Sequence, residues 1–174
     1  MGSLSYSFRR VVARDLDLLA RWRAAPHVRE WWDPDGLPDA ADLADPRVAR
    51  WIVSLDGRAF AYIQDYDVHG WEDHHFADLP TGARGIDQFI GEAEMLGQGH
   101  GTGFIGQLVR DLFAAGAPVV ATDPHPDNAR AIAVCRKLGF AASGPPRRTR
   151  WGLVLPMLAW RDAGAAGTGR PGQT

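Results

Sequence analysis

Thiols, lysines and long apolar runs are almost missing from this chain of 174 residues. A single cysteine, Cys135, excludes an internal disulfide and a thiolate metal cluster, and fits a reducing compartment. Lys137 is the only lysine among 19 basic residues, and no run of Lys and Arg reaches five. With a net charge of −2, that composition excludes a non-specific nucleic-acid binder. No apolar stretch approaches the roughly 20 residues that a spanning helix needs. The N-terminus lacks a signal-peptide core, and Tyr6 stands where a myristoylation signal requires Ser or Thr. The expectation is a soluble, unanchored cytoplasmic protein. What is abundant is apolar: 45% of residues, with seven Trp and seven Phe, enough for the core of one domain.

The organising stretch is Arg84 to Val109. Gly85 to Leu96 reads as a strand carrying one acidic residue, Asp87, and Gln98 to Gly103 reads as a glycine-rich loop opening onto a helix. Four glycines (Gly97, Gly99, Gly101, Gly103) let the backbone turn tightly and approach a ligand. The free N–H groups of the helix's first turn favour an anion there. This is a phosphate-binding shape with a carboxylate just upstream.

Around it, Tyr6 to Val12 reads as a strand and Asp15 to Arg23 as a helix, while Asp39 to Val48 is weakly helical. Arg50 to Leu55, Asp56-Gly57 and Arg58 to Asp67 form a predicted hairpin. Val68 to Gly82 is a long acidic loop with His69, His74 and His75; the spacing matches no zinc pattern, and no metal is expected. Pro118 to Thr122 is a short buried strand, Ala129 to Leu138 a helix, and Trp151 to Leu158 a β-like run whose Pro156 implies an edge or a bulge. Residues 1–162 are expected to form one mixed α/β domain, and the Gly/Ala-rich residues 163–174 a disordered tail. A dinucleotide-binding unit is excluded, because no acidic residue follows a second strand at the required distance.

The segment Gln98-Gly-His-Gly-Thr-Gly103 after a strand, followed by Asp127-Asn-Ala-Arg-Ala-Ile132 and Lys137-Leu-Gly-Phe140, resembles the Gcn5-related N-acetyltransferases (GNAT). Within them the chain is most similar to the aminoglycoside 6′-N-acetyltransferases, through Glu30-Trp-Trp32, Gln64-x-Tyr66, Arg84-Gly-Ile-Asp-Gln88 and Thr122-Asp-Pro-x-Pro-x-Asn-x-Arg-Ala-Ile132. The resemblance implies a sheet with an antiparallel front half and a parallel back half, and helices on both faces. It implies acetyl-CoA as co-substrate, held by Met95, Leu96, Gln98, Gly99, His100, Gly101, Thr102, Gly103 and Asn128. The strand end around Glu94 to Leu96 is expected to pair with the pantetheine arm.

The resemblance makes Asp87 the carboxylate at the amine being acetylated, as general base or orienting group. The family's thiolate-protonating tyrosine is matched by Cys135, read as a buried helix residue, so that Tyr66 or water takes that role or the thiolate leaves without a dedicated acid. Acceptor contacts are expected from Trp32, Trp71, Asp78, Asp87 and Asp123. Asp33, Asp35, Asp65, Asp67, Glu72 and Asp73 are further carboxylates for a polycation, while Arg147, Arg148 and Arg150 run against one. The implied activity is transfer of acetyl to a primary amine, the 6′-amine of an aminoglycoside first, in a monomer or homodimer. The alternatives are a siderophore-type hydroxylamine or lysine N-acyltransferase and a CoA-binding module without catalysis.

Overall fold

The computed structural model describes residues 5–32, 36 and 38–161. The predicted tail, Asp33 and Asp35 lie outside the described residues. The chain opens with strand β1 (Tyr6–Arg10), helices α1 (Leu16–Ala24), α2 (Pro26–Arg29) and α3 (Ala40–Ala44), then β2 (Val48–Leu55) and β3 (Arg58–Asp67). Next come β4 (Arg84–Ile90), α4 (His100–Ala114), β5 (Val119–Thr122) and α5 (Ala129–Lys137). Four short strands close it: β6 (Ala141–Ala142), β7 (Arg147–Thr149), β8 (Gly152–Val154) and β9 (Met157–Trp160).

The β2–β3 hairpin forms at the expected turn. Asp56 and Gly57 both take positive φ, 50° and 80°, the backbone that makes a two-residue turn follow the strand twist. The main sheet runs β1-β2-β3-β4-β5-β9-β6. Its first four strands are antiparallel. The parallel part is smaller than expected: β4 pairs with β5 in parallel only at Arg84↔Val120 and Gly85↔Ala121, and β5 pairs with β9 antiparallel. Pro156 does not mark an edge either, since it precedes β9, which lies between β5 and β6. Its carbonyl accepts the Ser143 N–H, so the imide residue ends one strand and starts the next without costing a ladder bond.

Side-chain alternation gives the sheet two faces. On one, Val53, Ile63, Ile86 and Val120 pack with Phe104, Leu108, Ile132 and Cys135 of α4 and α5. The other face carries two separate apolar clusters. Ile52, Tyr62 and Phe89 pack under α1 with Leu19 and Trp22. Val48, Tyr66 and Val119 pack under the 68–83 loop with Val68 and Phe76. Between them the register aligns Arg50, Gln64 and Asp87, one polar residue from each of β2, β3 and β4. A polar row thus crosses an otherwise apolar sheet face and ends at the place where β4 and β5 part.

Candidate active site

Past Gly85 the two central strands diverge, and only the Thr122 hydroxyl, donating to the Ile86 carbonyl at 3.1 Å, bridges them. Because the β4 backbone alternates sides, the Gln88 N–H and C=O point to the open side. At its end the Ile90 carbonyl accepts from His27 Nε2 at 2.9 Å. This opening is a groove of about 530 Å³ lined by Gln88, Phe89, Ile90 and Leu96, by Gly101 and Phe104 of α4, and by Asn128 to Ala131 at the start of α5. Gln88 Oε1 is buried there without a partner.

Two helix starts meet at the groove. Gly99, at φ 84°, caps α4 in the left-handed conformation that glycine adopts without strain, and Gly97 turns at φ 75°. Gly101 and Gly103 belong to the helix, so the predicted loop is shorter than expected and Thr102 is helical. A side chain at Gly103 would strike the Tyr6 ring, and one at Gly101 would project toward Val134 of α5. Asn128 caps α5, its side-chain oxygen accepting the Ala131 N–H at 3.1 Å. The first-turn N–H groups of α4 lack intrahelical acceptors, the arrangement that favours an anion at a helix start, whereas at α5 the Ala129 and Ala131 N–H groups are taken by the Asp127 carbonyl and the Asn128 side chain.

Several expected contacts sit differently. β4 ends at Ile90 and residues Ala93–Met95 form a 3₁₀ turn, so Glu94 to Leu96 present no strand edge; the open edge is at Gln88 to Ile90. Leu96 lines the groove, whereas Met95 packs toward the core. Gln98 closes the 3₁₀ turn by donating to the Glu94 carbonyl. The His100 side chain faces inward, its Nδ1 3.1 Å from the Tyr6 hydroxyl, leaving its backbone as the part near the groove.

On the other sheet face lies the acid group. Tyr62 donates to Gln64 Oε1 at 2.7 Å, and Gln64 Nε2 donates to Asp87 Oδ2 at 2.8 Å. Asp123, just past β5, interacts with the Asp87 carboxyl and lies 2.7 Å through Oδ2 from His75 Nε2. Burial first, and then the neighbouring Asp123, push the Asp87 carboxyl up to about 7. Burial likewise raises Asp123, while Arg147 opposes the rise. Two carboxyls this close do not both ionise freely, so the pair holds a proton near neutrality.

Tyr66 stands beside this pair, its ring lying flat over Gly85, where any Cβ would overlap it. Burial, then Asp87 and Asp123, raise its hydroxyl well above the usual tyrosine range. Trp32 stands against Tyr62 and Phe89 and borders the groove. Trp71 packs edge-on to Tyr66 with Arg47 over its ring. Asp78 is exposed and lies outside the hydrogen-bonded group. Asp65 accepts from Trp51 and Arg84, and Asp67 caps the turn at His69, which makes both structural. Cys135 is buried in the core, where burial pushes the thiol up to about 11.

Comparison with known proteins gives the family. The sequence pattern of the acetyltransferase (GNAT) domain matches residues 11–146. The chain belongs to the GNAT acetyltransferase family. Among GNAT proteins it is 34% identical over 156 residues to an aminoglycoside N(6′)-acetyltransferase type 1 of Klebsiella pneumoniae, covering 80% of this chain and 76% of that protein. Its fold superimposes with a TM-score of 0.80 on the aminoglycoside acetyltransferase AAC(6′)-Ib in complex with coenzyme A, at 32% identity over 94% of this chain and 99% of that one. The AAC(6′)-Ib complex with paromomycin and acetyl-CoA gives 0.81 at 31% identity, over 96% and 99%.

Sequence reasoning missed His75 and His27 as parts of this GNAT site. No periodicity marks a histidine inside a long loop or at a helix of four residues. Gln64 was visible as a motif position, but its hydrogen bond to Asp87 follows from a β3–β4 register set across a loop of sixteen residues.

Proposed function

We propose that this chain transfers acetyl from acetyl-CoA to a primary amine of an aminoglycoside, the 6′-amine, by direct attack in a ternary complex. The observation that carries this reading is the Asp87–Asp123 carboxyl pair at the point where β4 and β5 separate, with the groove on the opposite sheet face. The relatives' coenzyme A and aminoglycoside complexes support it.

The groove suits the co-substrate. Its volume and largely apolar walls fit the pantetheine arm, the free Gln88 edge and its buried Oε1 offer partners for amide groups, and the start of α4 suits the diphosphate. His100, Gly101 and Thr102 contribute backbone N–H groups, Gly99 the turn, and Asn128 the second helix cap.

At the acceptor side an ammonium must lose a proton before it can attack. Above the titration near 7 the carboxyl pair is ionised and attracts the cation. With its pKa raised toward 7, Asp87 then takes one N–H proton, becoming a carboxylic acid and leaving a neutral amine. Attack on the thioester carbonyl forms the C–N bond, the C–S bond breaks with its electron pair leaving on the thiolate, and the second N–H proton, lost from the new amide nitrogen, passes through water to that thiolate to give the free thiol of CoA. Cys135 is enclosed in the core with a raised pKa, so it offers no acyl-enzyme route, and Tyr66 beside the carboxyl pair and Tyr62, joined to it through Gln64, are the tyrosines on the acceptor side. Trp32 and Trp71 flank the polar row as walls for sugar rings. Monomer or homodimer, and a cytoplasmic setting, belong to the same reading; among the described residues no helix is long and apolar enough to cross a membrane.

Thiol release with acetyl-CoA and kanamycin, joined to mass and NMR assignment of the acetylated nitrogen, tests the proposal. Turnover above the acceptor-free rate at the 6′-amine supports it. Acetyl-CoA binding without turnover on any aminoglycoside overturns it.

A further inference from the structure

His75 was set aside at the sequence level as part of a histidine-rich loop without metal spacing, yet it is the only loop residue whose side chain bonds to the carboxyl pair. Among the described residues no group of His, Cys, Asp and Glu is arranged to hold a metal ion, so a different role is needed. The imidazole is enclosed, its side chain 8% exposed against 14% for Asp123. It stacks on His74 at 4.6 Å and 16°, and touches Phe76 within the loop. From the β7–β8 hairpin, Trp151 covers it at 5.5 Å, and Arg147 donates to its backbone carbonyl. From the sheet it faces Asp123 and Asp87. Burial first, then Arg147, press it toward the neutral form. A neutral imidazole carries one proton, and the short contact through Nε2 places that proton toward Asp123.

Its other nitrogen, Nδ1, is buried without a partner. Burying an unpaired polar atom works against stability, and a loop side chain selected for packing alone would avoid it. An apolar residue would fill the space beneath Trp151 without that penalty. The feature that only histidine or a close mimic supplies here is the Nε2–H aimed at Asp123.

We propose that His75 is a positioning residue for acyl transfer, its Nε2–H fixing the Asp123 carboxyl in place so that Asp123 keeps its partner Asp87 oriented toward the acceptor amine. This rests on the reading of Asp87 and Asp123 as the acceptor-side pair. His75 touches neither substrate; it acts through Asp123, and the β7–β8 hairpin holds it there. A reaction otherwise attributed to the sheet therefore depends on a loop and on the hairpin that pins it.

The test compares His75→Ala and His75→Gln in the full chain, since a glutamine Nε2 reaches the same carboxylate oxygen. His75→Ala is expected to lower kcat/KM for kanamycin at least tenfold, mainly in kcat, with the acetyl-CoA Kd within twofold of native. His75→Gln is expected to recover most of the loss. In an Asp123→Asn background the alanine change should cost less than twofold. Native-like turnover in His75→Ala, a glutamine variant no better than alanine, or an undiminished alanine effect in Asp123→Asn overturns the proposal.

Nitrogen-15 correlation spectra of the imidazole at neutral pH add a readout independent of turnover and of the alanine variant's folding. A protonated Nε2 with a bare Nδ1, altered by Asp123→Asn, is expected; a bare Nε2 in the native chain overturns the proposal. If the native chain acetylates no amine, the functional reading fails while the spectrum still decides the His75–Asp123 contact.

Discussion

At the residue scale the proposed chemistry depends on one carboxyl being a better base than a free aspartate. Burial and the adjacent Asp123 raise Asp87 to about 7, so its conjugate base can accept a proton from a bound ammonium. kcat/KM is expected to rise with pH through an acid limb near 7. In Asp123→Asn the neighbouring charge is gone, so that limb should move to lower pH as the maximum falls; a pH–rate profile that stays in place contradicts the coupling.

The same shift bears on stability. A carboxyl whose folded pKa lies above its unfolded value binds more protons in the folded state between the two, so the stability it permits is full below about 4 and is lost as pH rises through about 7. Melting curves of the acceptor-free protein should therefore show native falling relative to Asp87→Asn between pH 4 and 8. A flat difference contradicts the raised pKa.

At the element scale, the site exists because strands stop pairing. β4 follows β5 for two residue pairs and then diverges, and the Gln88 backbone faces the groove instead of a neighbour. Gly99 starts α4 in a conformation that costs an L side chain roughly 1–2 kcal/mol. Gly99→Ala should lower the melting temperature and weaken acetyl-CoA binding together, measured by calorimetry with and without ligand. Gly85→Ala should do more damage, because its Cβ would overlap the buried Tyr66 ring; a melting temperature unchanged from native would show that the ring has room to move.

Elements built from local rules were legible in the chain. Asp56-Gly57 specifies its turn by backbone geometry alone, and the glycines before α4 specify a close approach. Features set by distant packing were not. The end of β4 at Ile90 depends on Gly91, against which the Trp22 ring of α1 packs so closely that no Cβ fits. The alignment of Arg50, Gln64 and Asp87 needs a register that no single strand contains, and of the β7–β8 hairpin over His75 only β8 falls in the predicted β-like run, Trp151 to Leu158. Asp87, Asp123 and Asn128 were reachable because a family motif carries them; Asp65 and Asp67 read as acceptor carboxylates until Trp51, Arg84 and the His69 turn were seen to use them.

For the whole molecule, the layered sheet separates two tasks. In the proposed reading, the face covered by α4 and α5 carries the groove for an anionic co-substrate, and the opposite face, between its two apolar clusters, presents carboxylates to a cation. The most direct test is Asp87→Asn in the full chain, with turnover and acetyl-CoA affinity measured on the same preparation. Loss of a general base should lower kcat with kanamycin by about 10²–10⁴-fold, with the acetyl-CoA Kd within twofold of native. Near-native turnover, or loss of acetyl-CoA binding in step with turnover, would contradict the assignment of Asp87 to the acceptor amine.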